Sequence, residues 1–298
     1  MSTRTTLDER LRQLYPGSSG RTRKRWLTEG RVRVGGRVVR RGDVPLAAND
    51  RVELGAPPGP SFPSGLGLVH EDEDVIVVDK PPGLLTIATE RERERTAYRL
   101  LADYVGGRGP SRGGKGRGAP RLFIVHRLDR ETSGLLVFAK SAAAKRRLQS
   151  QFEARTVERR YVAVVEGRMA DERGTLKSRL REDRALRVRP TRDRSAGREA
   201  ITDYQVIARG AGTTLLELSL VTGRRGQIRV QLAALGHPIV GDRAYGSARD
   251  PLRRLCLHAT RLGFAHPRGH RVSFESPAPT TFVRLVESAR PVTGSRVY

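Results

Sequence analysis

The sequence has a single cysteine, Cys256, so neither a disulfide nor a thiolate metal cluster can be built within the chain. That scarcity fits a reducing, cytoplasmic setting, and the polar, charged N-terminus lacks an apolar signal core. No apolar run approaches the ~18 residues needed to cross a bilayer, so no membrane partner is expected. Heptads, internal repeats, a phosphate-binding Walker loop and a dinucleotide fingerprint are all missing. Histidines are few. His266 and His270 lie four apart, but Pro267 and Gly269 between them argue against one helical face. With His237 and His258 counted too, no close His pair has a carboxylate or cysteine at ligand spacing, so no metal is expected. Negative charge is also scarce, with 32 Asp and Glu against 57 Lys and Arg, for a net +25. A field that positive concentrates polyanions, and nucleic acid is the usual one. An arginine-rich proteome would leave the same charge on solvated faces without meaning. What remains is 298 residues, 37% of them hydrophobic and arranged in periodic runs, enough for two domains with real cores.

Residues 1–55 read as a small αα-ββ module carrying 13 basic and 6 acidic residues. Thr6 and Glu9 form a capping-box pattern, and Leu7, Leu11 and Leu14 follow on one helical face. Pro16-Gly17 ends that helix. A second helix is expected over about Arg21–Glu29, stopping at Gly30 and presenting Arg21, Arg23, Lys24 and Arg25. Val32 and Val34 then alternate with arginines, and Gly35-Gly36 makes a hairpin turn to Val38-Val39. Residues 56–66, rich in Pro and Gly, read as a linker.

A larger domain is expected over 67–290, followed by a tail, 291–298. Strands are predicted at Val75–Val78, Leu122–Val125, Leu135–Phe138, Tyr161–Val165 and Thr213–Leu220. Ser141 caps a helix with Ala144, Leu148 and Phe152 recurring, and Ile228, Leu232 and Leu235 mark a later helix stopping at Gly236. Residues 106–121 hold five basic residues, no acid and many glycines, and are expected to be a mobile basic insertion. Strands joined by varied, often hairpin-like connections argue for α+β rather than strict βαβ alternation.

The segment richest in chemistry is His126-Arg127-Leu128-Asp129-Arg130-Glu131-Thr132-Ser133-Gly134, a loop between two apolar strands. A carboxylate beside guanidinium groups is favoured as the anion, and an oriented carboxylate can attack an electron-poor carbon or stabilise an oxocarbenium ion. Read by itself, an Asp in a turn is as readily a turn-former, and an Arg–Asp pair as readily structural.

The stretch HRLDRETSGLLVFAK resembles the H-R-L-D-x-x-T-S-G signature of RluA-type RNA pseudouridine synthases. VIVVDKPPGLLT, RRYVAVVEG, VTGRRGQIRVQLAALGHPIVGDRAYG and LHATRLGFAHP are similar, in order, to further motifs of that family, covering about residues 67–285. The N-terminal run RTRKRWLTEGRVRVGGRVVRRGDVPLAANDRVEL resembles an S4 RNA-binding domain, in which a G-D-x-[VI] strand follows the hairpin. The resemblance implies a pseudouridine synthase fold, with a central mixed, largely antiparallel sheet flanked by helices and loops, plus a small S4-like domain.

The resemblance also implies an isomerase that needs no cofactor. It breaks the N1–C1′ bond of a uridine, turns the uracil and joins C5 to C1′. It implies Asp129 as nucleophile, Tyr161 as the aromatic stacking on the base, and Arg229 as partner of the Asp129 carboxylate. Arg127, His126, Thr132, Arg224 and the cluster Arg21, Arg23, Lys24 and Arg25 are expected to meet RNA. Two positions depart from the family pattern, since Gly226 and Gln231 stand where histidine is usual. The expected substrate is large-subunit ribosomal RNA, with the protein a monomer. The alternatives are a tRNA pseudouridine synthase and a non-catalytic RNA-binding ribosome-assembly factor. A glycoside hydrolase using Asp129 with Glu131 is disfavoured, because two carboxylates in one tight loop poorly flank a bond.

Overall fold

The computed structural model describes residues 5–55, 61–90, 92, 95–106, 121–183, 187–193 and 195–287. Residues 56–60 of the expected linker, 107–120 of the basic insertion and the tail 291–298 lie outside them. The chain divides into two compact units, Met1–Ser61 and Phe62–Tyr298.

The first unit contains α1 (Leu7–Leu14), α2 (Gly20–Thr28), β1 (Val32–Val34), β2 (Arg37–Val38) and β3 (Val52–Leu54). The capping box is present, with the Thr6 amide donating to Glu9 Oε2 at 2.8 Å. Gly35 and Gly36 both take positive φ, as a tight hairpin turn requires. The sheet has three strands in the order β2-β1-β3, so the module is αα-βββ rather than αα-ββ. The strand expected after the hairpin is β3, which pairs with β1. Before it, the carbonyls of Gly42 and Val44 accept the amides of Asp8 and Leu7, each at 2.9 Å, which satisfies the free end of α1. Leu7 and Leu11 are buried but Leu14 is exposed, because the chain leaves the helix at Tyr15, whose ring packs edge-on against Trp26.

Arg23 also departs from expectation. It is buried, its guanidinium bonding Asp8 at 2.8 and 3.2 Å and the Ser18 carbonyl at 2.8 Å. Its charge braces α2 against α1 and is not offered to RNA, whereas Arg21, Lys24 and Arg25 are exposed.

The second unit runs β4 (Gly67–Glu71), β5 (Val75–Lys80), α3 (Ala97–Gly106), β6 (Phe123–Ile124), β7 (Ser133–Ala139), α4 (Ala142–Glu153) and β8 (Glu158–Glu166). It continues with β9 (Arg173–Glu182), β10 (Val188–Thr191), β11 (Arg198–Arg209), β12 (Thr213–Leu220), α5 (Gln227–Ala234), β13 (Leu257–Ala265), β14 (Arg271–Glu275) and α6 (Thr280–Glu287). The strands form one mixed sheet in the order β10-β9-β11-β12-β8-β13-β7-β5-β4, with β14 on β13 and β6 on β7. Among the described strands only β13 and β7 pair in parallel, so the sheet is largely antiparallel. No described helix is long and apolar enough to cross a membrane.

The centre of the sheet is covered on both sides. Along β5 and β7, Ile76, Val78, Leu136 and Phe138 enter one core while Val75, Val77, Leu135 and Val137 enter another. This explains their unbroken apolar runs, since a strand buried on both faces has no polar positions to alternate with. Phe62 and Leu66, in the stretch read as linker, pack on the first of these cores.

Candidate active site

Sheet order positions the site. Ala259 on β13 pairs with Tyr161 of β8 on one side and with Gly134 of β7 on the other. Tyr161 and the start of β7 are therefore two strand spacings apart, roughly 9–10 Å. The loop 126–132 enters β7 at that level. Gly134 has φ +111°, and a Cβ there would sit 2.3 Å from the Ala259 carbonyl oxygen. Only glycine lets β7 approach β13 this closely, which accounts for the glycine ending the HRLDRETSG segment.

The loop is fixed from behind. Lys80, fully buried at the end of β5, donates to the carbonyls of Pro81, Leu84 and Arg130 at 2.9, 2.8 and 3.0 Å. Burial pushes its amine down to about 8, against the pull of Glu131 and Asp129. Thr86 Oγ1 donates to the Leu128 carbonyl at 2.8 Å and accepts the Leu128 amide at 3.2 Å. Ser133 is held by His258 Nδ1 at 2.8 Å and by the Arg254 guanidinium at 2.6 Å. Each restraint fixes a residue adjoining or near Asp129 and leaves the Asp129 side chain facing the cleft.

A cleft of about 310 Å³ gathers Asp129, Tyr161 and Arg229 with His126, Arg127, Thr132 and Arg224. Arg229 Nη1 donates to Asp129 Oδ2 at 3.2 Å, across a separation of 100 residues. The rest of that guanidinium is taken by Asp242, which accepts from Nε and Nη2, both at 2.7 Å. The Tyr245 ring lies 4.9 Å beneath it. Burial works against the charge on Arg229, but Asp242 and then Asp129 more than offset it, so its pKa is raised. Burial pushes the Tyr161 phenol up to about 12, keeping it neutral in ordinary buffers. A second cleft of about 1050 Å³ opens beside the first, sharing Arg127, Asp129, Arg225 and Arg229 and edged by Arg187, Arg189 and Arg243.

The other expected residues fall into three groups. Arg127 is exposed and forms no ion pair among the described residues. Arg224 is half-buried and bonds the Glu199 carbonyl at 3.0 Å. His126 faces inward, its Nε2 accepting the Val137 amide at 3.2 Å and its ring stacked on Phe152 at 4.8 Å. Burial holds that imidazole down to about 3, so it stays neutral. Thr132 is buried and its amide closes the loop onto the Asp129 carbonyl at 3.2 Å. Glu131 is exposed and lines neither cleft, which removes the second carboxylate a glycoside hydrolase would need there.

Both departures from the family pattern have local structural accounts. Gly226 is the N-cap of α5 with φ +59°, a left-handed conformation that glycine adopts freely. Gln231 is buried with every polar atom used. It accepts from Thr202 Oγ1 at 2.7 Å, and its two amide N–H groups are shared among Leu176 O, Ser178 Oγ and Ala200 O, each 3.0 Å from the nitrogen. It ties α5, and with it Arg229, to β9 and β11. Leu235, expected on the buried face of this helix, is exposed beyond its last turn, and Val230 supplies the contact with Leu180, Val188 and Ala200 instead.

Away from the cleft, Asp72, Asp74 and His266 bring ligand-type atoms within 4.8 Å of one another. Asp72 Oδ2 already lies 2.8 Å from His70 Nε2 and 3.0 Å from His266 Nε2, and Asp74 pairs with Arg268 at 2.8 Å.

Comparison with known proteins gives the family. Residues 74–234 match the family model described as RNA pseudouridylate synthase, and that span contains Asp129, Tyr161 and Arg229. The chain belongs to the RNA pseudouridylate synthase family. Its activity is thus the isomerisation of uridine in RNA. It is 34% identical to the uncharacterized RNA pseudouridine synthase YlyB of Bacillus subtilis, over 90% of this chain and 88% of that one. It is 31% identical to the ribosomal large subunit pseudouridine synthase D of Haemophilus ducreyi, over 95% and 90%. Among solved structures, human RNA pseudouridylate synthase domain containing 1 superposes with a TM-score of 0.58 at 27% identity, over 72% of this chain and 84% of that one.

Proposed function

We propose that this pseudouridine synthase acts on large-subunit ribosomal RNA, with Asp129 as nucleophile and the N-terminal unit as an S4-like RNA-binding domain. The observation that carries the assignment of Asp129 is its 3.2 Å contact with Arg229 in a cleft shared with Tyr161. The ribosomal target draws support from the relatives in Haemophilus ducreyi and Neisseria meningitidis, which are named for the large ribosomal subunit.

In this reading the target uridine leaves its stack, at a cost of a few kcal/mol, and enters the cleft. Tyr161 meets the base with its aromatic ring, while Arg127 and the arginines edging the second cleft neutralise flanking phosphates. Asp129 attacks C1′, adds to the uracil ring or removes a sugar proton, and the bond or proton it gains is given back as C5 joins C1′, which regenerates the carboxylate. On each route Arg229 keeps one carboxylate oxygen in place and directs the other towards the substrate. The N1–C1′ bond breaks, the uracil turns, and C5 bonds to C1′ as its proton is lost and N1 gains one. Atoms and charge balance without a co-reactant.

Mapping pseudouridines in a deletion strain against its parent tests this. The expected result is loss of one or a few sites in large-subunit RNA, restored by the wild-type gene. Loss confined to tRNA, or no loss, contradicts the ribosomal assignment.

A further inference from the structure

β8 carries two adjacent arginines with opposite fates. Arg160 faces away from the cleft and meets two carboxylates, Glu158 and Glu217, each at 3.1 Å. Arg159 shares the face of Tyr161, two residues on, and lines the cleft with it. It is nine-tenths buried and forms no ion pair among the described residues. Its one hydrogen bond runs from Nη2 to the Leu220 carbonyl at 3.2 Å, and its Nε has no partner. The Phe152 ring lies 5.5 Å from the guanidinium. Room for the group comes from Gly223, where a Cβ would stand 2.4 Å from Nη1. Burial lowers its pKa, the direction expected of a cation without a counter-charge.

A buried guanidinium that lines a cleft without a counter-charge is costly unless something that enters the cleft answers it. We propose that Arg159 contacts a carbonyl oxygen of the extruded uracil and stabilises the negative charge that develops on the ring. This rests on the reading that the target base enters this cleft beside Asp129. Around the guanidinium the walls include Val125, Leu128 and Phe152, which suit a flat base better than a hydrated phosphodiester. The exposed Arg127 remains for phosphates.

The chemistry calls for such a donor on all three routes open to Asp129. If the carboxylate attacks C1′ or removes a sugar proton, N1 keeps the bonding pair and uracil departs as an anion delocalised over its carbonyl oxygens. If Asp129 adds to the ring, the displaced pair again resides on a carbonyl oxygen. The charge is discharged when C5 bonds to C1′, the C5 proton leaves and N1 takes one up. A donor aimed where charge develops acts on the rate more than on binding. A guanidinium placed at O4 is also mismatched to cytosine, whose amino group offers donors where uracil offers that acceptor.

The test uses a synthetic stem-loop around the uridine mapped in the deletion strain, so a failure to find any lost site indicts the functional reading rather than Arg159. Single-turnover rates are measured with uridine, 2-thiouridine or 4-thiouridine at the target, since sulfur is a poor acceptor. R159M is expected to lower the uridine rate roughly 100-fold, the scale of removing one donor to a developing oxyanion, with RNA affinity and its salt dependence unchanged. One thio substitution is expected to slow the wild type and not slow R159M further. R159K and G223A both keep a cation near the site and hold the test if R159M unfolds. G223A, which displaces the guanidinium at constant charge, is expected to lower the rate in the same direction, and R159K to retain part of it. A phosphate contact would instead weaken binding and reduce the salt slope by about one, with the rate intact, and would overturn the proposal. So would equal thio sensitivity in wild type and variant.

Discussion

Asp242 holds Arg229 by two hydrogen bonds of 2.7 Å and leaves it one nitrogen, Nη1, for Asp129. The Asp242 side chain is 1% exposed, so the pair is sealed on that side while the Asp129 end opens to the cleft. Charge-assisted, two-point contacts of this kind fix a guanidinium in orientation as well as position. Asp242→Asn keeps the shape and loses the charge. The variant is expected to be about 3–5 kcal/mol less stable, because it leaves a largely buried cation short of its partner. Turnover of the folded fraction should fall, with RNA affinity little changed. Urea unfolding and single-turnover rates check both, and an unaltered rate would show that Arg229 needs no such anchor.

Lys80 predicts a pH effect. Its folded pKa is lowered to about 8 from 10.5, so between those values the unfolded chain binds more protons and stability rises with pH on this group's account. Its contribution is complete above about 10.5 and is lost as pH falls through about 8. The same deprotonation leaves two N–H groups for three carbonyls, one of them Arg130 beside Asp129. Activity is therefore expected to decline above about pH 8 while the fold persists. The comparison is with Lys80→Met, whose unfolding free energy should lack that rise. Parallel pH curves for the two proteins would contradict the assignment.

The arginines of α2 should separate by experiment. Arg21, Lys24 and Arg25 are exposed, so replacing all three with Ala is expected to weaken RNA binding and flatten its salt dependence with little change in stability. Arg23→Ala should instead lower stability, as its bonds to Asp8 and Ser18 are lost, with little change in RNA binding. Removing residues 1–55 is expected to lower affinity and salt slope together. Binding curves that overlay those of the full chain would refute an RNA-binding role for this unit.

What the sequence disclosed depended on the range of the interaction behind each feature. Thr6 and Ser141 were readable as caps because their bonds close within three residues. The β12 strand was readable end to end from its alternating leucines. By contrast, β9 pairs with β11 across the intervening β10, and its mostly polar, largely unburied residues give no strong signal. Arg23 read as a free charge because its partner lies 15 residues away. The pairing of Asp129 with Arg229 spans 100 residues, and no periodicity announces it; only the ordered family motifs did. Asp242 stands in the quoted GDRAY stretch, but nothing local ties it to Arg229. For Arg159 strand alternation is a usable signal, since it places residues 159 and 161 on one face.

The most direct test of the account is tritium release from RNA containing 5-tritiated uridine, compared between wild type and Asp129→Asn. The asparagine variant should fold, bind RNA with unchanged affinity and release no tritium above background, because the carboxylate facing Arg229 has become an amide. Release at the wild-type rate would mean that Asp129 carries no part of the chemistry.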